Sequence, residues 1–162
     1  MRLFLAVCLD PAVKRGLCQV QDQLRAGRVG GSYTPPENLH LTLAFVGEYP
    51  HPDRVLEVLE AVPFSPFSLT LEGLGAFDDL YWCGVRKQEA LNAYVRRLRH
   101  ALAENGIPFD RKKFCPHITL LRRAVLRGPL PSVAVPPAEM TVRRVSLMRS
   151  QQGKHGMIYT EL

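Results

Sequence analysis

Residues 2–9 form a short, almost wholly apolar run, the pattern of a strand buried on both faces. Asp10 and Pro11 then give a helix-start signal: an acceptor side chain at the cap, and a proline where a missing N–H is no loss. Val13, Leu17, Val20 and Leu24 keep a spacing of three to four through residue 26, which predicts an amphipathic helix closed by Gly27. Gly30-Gly31-Ser32 and Pro35-Pro36 mark a loop. Leu39 to Val46 is predicted as a strand, Gly47-Glu48 as a turn and Pro52 to Val62 as a short helix. The alternation of Phe67, Leu69 and Leu71 predicts a third strand.

The order then repeats. A strand is predicted at Leu80–Val85 and a helix at Gln88–Asn105, with Leu91, Val95, Leu98 and Leu102 on one face and Gly106 as its stop. Another strand follows at Pro116–Leu121. Two β-α-β halves, each with a histidine on the strand after its long helix, suggest a diverged internal duplication. Pro129, Pro131, Pro136 and Pro137 stiffen a connection, after which Met140–Met148 and Met157–Leu162 are predicted as closing strands. No low-complexity linker divides the chain, so residues 1–162 are expected to form one domain.

With 162 residues, 46% hydrophobic and 22% charged, the chain is ordinary globular material, and disordered or collagen-like classes are excluded. The formal net charge of +6 favours an anionic partner. Cys8, Cys18, Cys83 and Cys115 are scattered without a C-x-x-C pair, which predicts reduced thiols, a cytoplasmic location and no structural zinc. The opening apolar run ends at Asp10-Pro11, too soon for a secretory segment, and no apolar stretch approaches the roughly 20 residues of a membrane span.

Among five histidines, two share one pattern: His40-Leu41-Thr42-Leu43 and His117-Ile118-Thr119-Leu120. With six threonines in the chain, composition alone produces such a coincidence on the order of once in a hundred. Side chains on a strand alternate faces, so His40 stands beside Thr42 and His117 beside Thr119, while the flanking leucines and Ile118 turn to the core. If the halves face each other, two imidazoles and two hydroxyls converge on one cleft, a set suited to a phosphate. One imidazole can take a proton from a nucleophile while the other protonates the departing oxygen, and hydroxyls can hold the non-bridging oxygens. A lone H-x-T is more often a strand histidine beside a β-favouring threonine; duplication reverses that reading. Neither motif brings a second close metal ligand, so no metal and no cofactor are expected.

The stretches Asn38-Leu39-His40-Leu41-Thr42-Leu43-Ala44-Phe45-Val46-Gly47-Glu48 and Phe114-Cys115-Pro116-His117-Ile118-Thr119-Leu120-Leu121-Arg122 resemble the two signatures of the two-histidine phosphoesterases. The group most resembled is the bacterial RNA 2′,3′-cyclic phosphodiesterases, also described as 2′-5′ RNA ligases. Arg2-Leu3-Phe4, Gly73-Leu74-Gly75 and Ser150 through Tyr159 extend the likeness nearly end to end. It implies an α+β bilobal fold, two pseudo-symmetric lobes of sheet plus helices around a central cleft. It also implies metal-independent hydrolysis of 2′,3′-cyclic phosphate ends to 2′-phosphomonoesters, with His40 as general acid and His117 as general base. Thr42, Thr119 and Arg122 would bind the phosphate. The expected partners are RNA or nucleotides with 2′,3′-cyclic phosphate ends, no membrane, and no second copy of the chain.

Counting by strict alternation from Thr119, Arg122 points away from the catalytic face, so it serves only if the strand ends or bulges there; a solvated strand-end arginine is the alternative. Arg111-Lys112-Lys113 are either a track for an RNA backbone or a basic turn in water. Tyr33, Trp82 and Tyr159 are candidates for stacking on a base, with core or rim packing as the competing role. Cys115 receives no role, and His51, His100 and His155 are expected at the surface. The loop at Gly30–Thr34 lacks a basic residue the resemblance leads one to expect, and Phe77-Asp78-Asp79-Leu80 is a short connection. Two other functions compete: 2′-5′ RNA ligation by the same histidines in reverse, and RNA binding without catalysis.

Overall fold

In the computed structural model, which describes residues 1–162, the first strand, β1 (Arg2–Cys8), buries all five residues from Leu3 to Val7. A strand needs cover on both faces to do so, and β1 lies inside a four-stranded antiparallel sheet. Its neighbours are β3 (His40–Glu48) and β8 (Ser146–Gly153), with β9 (Gly156–Glu161) outermost. A second antiparallel sheet has the order β2 (Val29–Tyr33), β6 (His117–Leu126), β5 (Leu80–Val85), β4 (Phe67–Phe77), β7 (Glu139–Val142). Three helices complete the fold: α1 (Pro11–Ala26), α2 (Pro52–Ala61) and α3 (Glu89–Glu104). A contiguous cluster of 34 buried apolar residues runs through both sheets and beneath the helices.

The helices tie the sheets together by crossing over. Helix α1 follows β1 of the four-stranded sheet but packs on β2, β6 and β7 of the other. Helix α3 follows β5 of the five-stranded sheet but packs on β3, beside α2. Both helices turn the predicted apolar faces inward: Val13, Leu17, Val20 and Leu24 on α1, and Leu91, Val95, Leu98 and Leu102 on α3. Asp10 caps α1, its carboxylate accepting the Val13 N–H at 3.0 Å. Gly27 ends the helix for a reason other than backbone sign. Its φ is −82°, and a Cβ there would meet Pro131 at 2.4 Å; the left-handed residue is Arg28, at φ 64°.

Three local expectations are corrected. Gly30-Gly31-Ser32 is not a loop but the middle of β2, an edge strand held by pairing with β6 from Val29↔Leu126 to Tyr33↔Leu121. The expected turn at Gly47-Glu48 is the end of β3, paired with Leu3 and Arg2. Met140–Met148 is two strands: β7 pairs with β4, then exposed Arg143-Arg144 carry the chain to the other sheet, where β8 pairs with β1. No helix is long and apolar enough to cross a membrane.

Gln21 is the one buried polar side chain on α1, only 2% exposed. Its amide donates to the carbonyls of Thr34 at 2.8 Å and Leu120 at 3.0 Å, joining α1 to β6 and to the segment that leads into β3. Gln21→Leu is expected to lower unfolding stability by about 1–3 kcal/mol, the scale for losing two hydrogen bonds of a buried amide, although the Leu120 carbonyl keeps the Thr34 N–H. A urea denaturation curve indistinguishable from wild type would show that this pin carries no stability.

Candidate active site

Strands β3 and β6 lie against each other from their separate sheets, and each carries the same irregularity just after its threonine. Opposite β1, Ala6 pairs with Thr42 and Leu5 with Ala44, leaving Leu43 as an extra residue. Opposite β5, Trp82 pairs with Thr119 and Tyr81 with Leu121, leaving Leu120 extra. These are β-bulges at matching places, the third residue after each motif histidine. The crossing helices donate to the extra residues' carbonyls, that of Leu120 also accepting the Thr34 N–H at 2.9 Å. Arg99 of α3 donates to the Leu43 carbonyl at 3.2 and 3.3 Å, and Gln21 of α1 to that of Leu120.

Each bulge makes two consecutive residues buried, Leu43 with Ala44 and Leu120 with Leu121, and returns the next side chain to the cleft. That side chain is Phe45 in β3 and Arg122 in β6. The alternation that aimed Arg122 away is thus broken at the position where it had to be. A cleft of about 710 Å³ brings His40, Thr42, His117, Thr119 and Arg122 together. A second arm, of about 660 Å³, shares His40, Thr119 and Arg122 but not His117.

The imidazoles are oriented by the same device. His40 Nδ1 is 2.7 Å from the Asn38 carbonyl, and His117 Nδ1 is 2.7 Å from the Cys115 carbonyl. A carbonyl only accepts, so each Nδ1 carries the proton and each Nε2 is left for chemistry. Aromatic rings hold the edges: Phe4 and Tyr159 centroids lie 4.9 and 5.1 Å from that of His40, and Phe77 and Trp82 lie 5.1 and 5.9 Å from that of His117. His40 Nε2 is also 2.9 Å from the Thr42 hydroxyl. Burial pushes the His40 pKa below its ordinary value; the Asn38 carbonyl opposes this, and the charges of Arg122 and His117 add to the lowering.

The cleft is basic. Arg2, Arg99, Lys112, Lys113 and Arg122 line its first arm against Asp110 alone, and Arg123 and Lys154 join Arg122 in the second against Glu37. Of the stacking candidates, Tyr159 lines both arms and Tyr33 the second, whereas Trp82 packs beneath His117. The Trp82 indole lies on Gly75, where a Cβ would come within 2.3 Å of the ring. Lys112 and Lys113 reach the cleft, while Arg111 stacks over Phe109 at 4.7 Å. Cys115 acts through its carbonyl, and all four cysteines are free. His51, His100 and His155 are exposed, with His155 on the rim of the second arm. Sequence reasoning assigned no role to Phe4, Phe77 or Arg99, which reach the site from β1, from the end of β4 and from α3. No group of three or more His, Cys, Asp or Glu side chains is placed to hold a metal ion.

Two lobes of antiparallel sheet with a His-x-Thr strand from each lining one cleft define a two-histidine phosphoesterase. A family model described as the 2′-5′ RNA ligase superfamily matches residues 10–154, and the chain belongs to that family. The RNA 2′,3′-cyclic phosphodiesterase of Thermotoga maritima is 30% identical, over 100% of this chain and 93% of its own length. That of Thermus thermophilus is 37% identical, over 100% of this chain and 88% of its own. The crystal structure of E. coli LigT complexed with 3′-AMP superposes with a TM-score of 0.79 at 29% identity, covering 99% of this chain and 94% of that one. The expected bilobal α+β fold is therefore the fold found.

The His40 environment has a measurable sign. By NMR its ring should titrate below the ordinary value of 6.5, and Arg122→Ala should move it upward. Because the folded state binds the proton less readily than the unfolded chain, the associated stability is present above the unfolded pKa. It is lost as pH falls through the lowered folded value. Titration of His40 at or above the unfolded value would contradict this account of the site.

Proposed function

We propose that the chain is an RNA 2′,3′-cyclic phosphodiesterase that opens the cyclic phosphate at an RNA end to a 2′-phosphomonoester. The observation that carries this reading is the matched tethering of both imidazoles, which leaves two Nε2 atoms as the proton-transferring groups of one basic cleft. His117 Nε2 takes a proton from water, the water oxygen attacks phosphorus, and the bond from phosphorus to the 3′ oxygen breaks. His40 Nε2 gives its proton to that oxygen. Thr42, Thr119 and Arg122 hold the non-bridging oxygens, where the transition state concentrates negative charge. The relatives' names and the nucleotide bound to the LigT neighbour support a nucleotide phosphate as the substrate.

His40 has to be protonated to act as the acid, yet its burial and the charges of Arg122 and His117 disfavour that state. An arriving phosphate supplies the missing negative charge and draws a proton onto His40. The alkaline limb of kcat/KM, which reports the free enzyme, should therefore lie at lower pH than the alkaline limb of kcat, which reports the complex. Four free cysteines support a reducing cytoplasm as the working compartment, and a complete site within one chain supports a monomer. A 5′-hydroxyl in place of water would open the same cyclic phosphate, breaking the same bond to the 3′ oxygen, and leave a 2′-5′ linkage, and a cleft with two arms has room for a second RNA end.

His40→Ala and His117→Ala should each lose about 10²–10⁴-fold, mainly in kcat. Thr42→Val and Thr119→Val, which keep the shape and delete a hydroxyl, should lose about 10- to 100-fold because other donors remain. Hydrolysis of a 2′,3′-cyclic nucleotide should survive excess EDTA. Threonine variants worse than histidine variants would reverse the assigned roles, and activity abolished by chelator and restored by a divalent ion would remove this mechanism.

A further inference from the structure

We propose that a hollow outside the catalytic cleft, formed by Arg25, Arg28 and Arg127, binds phosphates of the RNA strand upstream of the cyclic end. The preferred substrate is then an oligoribonucleotide rather than a mononucleotide. The inference rests on the phosphodiesterase reading above.

The hollow measures about 540 Å³ and is lined by those three arginines with Val29 and Gly30. No carboxylate lines it. Only Arg25 has an acidic partner, Asp22 at 3.1 Å, and that pair is exposed. Gathering guanidinium groups without counter-charge is unfavourable by itself and becomes favourable when a polyanion supplies the charge. Arg28 is also kept at a costly backbone position. At φ 64° a glycine or asparagine is the ordinary occupant, and no hydrogen bond or ion pair of the Arg28 side chain accounts for the exception.

The hollow and the cleft lie on the same pair of strands. Tyr33 lines the second arm, and the Arg25 guanidinium lies 4.2 Å over its ring. The β2–β6 ladder connects the two places, with Tyr33↔Leu121 at the cleft end and Val29↔Leu126 at the hollow. Arg122, Arg123 and Arg127 mark its length. β6 is bulged here, so the span follows β2: from Ser32, opposite Arg122, to Val29, opposite Leu126, is about 10 Å at about 3.3 Å per residue, enough for one or two nucleotides.

Reaction geometry selects this arm. A 2′,3′-cyclic phosphate closes the 3′ end, so the rest of the RNA can only extend from its 5′ side. In-line attack puts water, beside His117, opposite the departing 3′ oxygen, beside His40. The ribose bearing that oxygen therefore sits on the His40 side, and the second arm is lined by His40 but not by His117.

The test compares a 2′,3′-cyclic mononucleotide with a cyclic-ended oligoribonucleotide long enough to span the β2–β6 ladder. Wild type should show the higher kcat/KM on the oligonucleotide, with the difference in KM. Arg28→Ala/Arg127→Ala should abolish that preference, while the mononucleotide, too short to reach the hollow, gives the same constants with both proteins. Removing two phosphate contacts should also flatten the log–log salt dependence of oligonucleotide binding by about 1.4, at about 0.7 per contact for single strands. Arg28→Gly supplies a folding control: it should raise Tm by relieving the left-handed residue while still weakening oligonucleotide binding. Equal kcat/KM for the two substrates, a retained preference in the double variant, or its loss instead in Lys112→Ala/Lys113→Ala would overturn the hollow while leaving the phosphodiesterase reading intact. Failure of wild type to hydrolyse either substrate would overturn both.

Discussion

Two backbone carbonyls, those of Leu43 and Leu120, govern the geometry of this site. Each belongs to the extra residue of a β-bulge. Arg99 of α3 donates to the first, and the second accepts from the Thr34 N–H at 2.9 Å and from Gln21 of α1, so each bulge is held in part by a helix that has crossed to the opposite sheet. The crossing and the bulge therefore depend on each other. Were either strand regular, Arg122 or Phe45 would turn towards the core. Without the crossing helices, the two sheets would lose the polar pins that fix one motif strand against the other.

The pins also shape the electrostatics. Gln21 is neutral and buried, whereas Arg99 lines the cleft, so one of two equivalent anchors brings a positive charge to the site. Arg99 has no carboxylate within salt-bridge distance and spends its donors on the carbonyls of Leu43 and Lys112. Asp110, which lines the same cleft, offsets part of its charge without pairing with it. Burial holds the pKa of His40 below its ordinary value, and the charges of Arg122 and His117 add to the lowering. Binding an anion and protonating His40 are consequently linked events.

The paired histidines were legible because a repeated His-x-Thr is a chemical pattern independent of the details of folding. The long helices were legible from their spacing and from the Asp10-Pro11 start. Arg122 was legible only through the family resemblance, since strict alternation, which holds only on a regular strand, pointed it away. The signal against regularity was nonetheless present: Leu120-Leu121 and Leu43-Ala44 are adjacent apolar pairs, which a two-residue period cannot place on one face. Strand β2 was hidden for another reason. Gly30-Gly31-Ser32 has little strand preference, and the strand exists because β6 continues past its motif and offers a long edge. Arg143-Arg144, read as part of one strand, are the two exposed residues by which the chain changes sheets.

A duplicated frame need not give duplicated chemistry. Phe45 and Arg122 occupy the same place, five residues after each histidine, yet one is a ring and the other a cation. In the first half the positive charge comes from the adjacent strand instead, with the Arg2 guanidinium 4.8 Å from the Phe45 ring centre. The histidines diverge in the same manner. His40 lies between Phe4 and Tyr159 with its Nε2 against the Thr42 hydroxyl, whereas the hydrogen bond that orients His117 lies in exposed surroundings. The backbone thus gives the two imidazoles the same orientation, while their neighbours give them unlike surroundings.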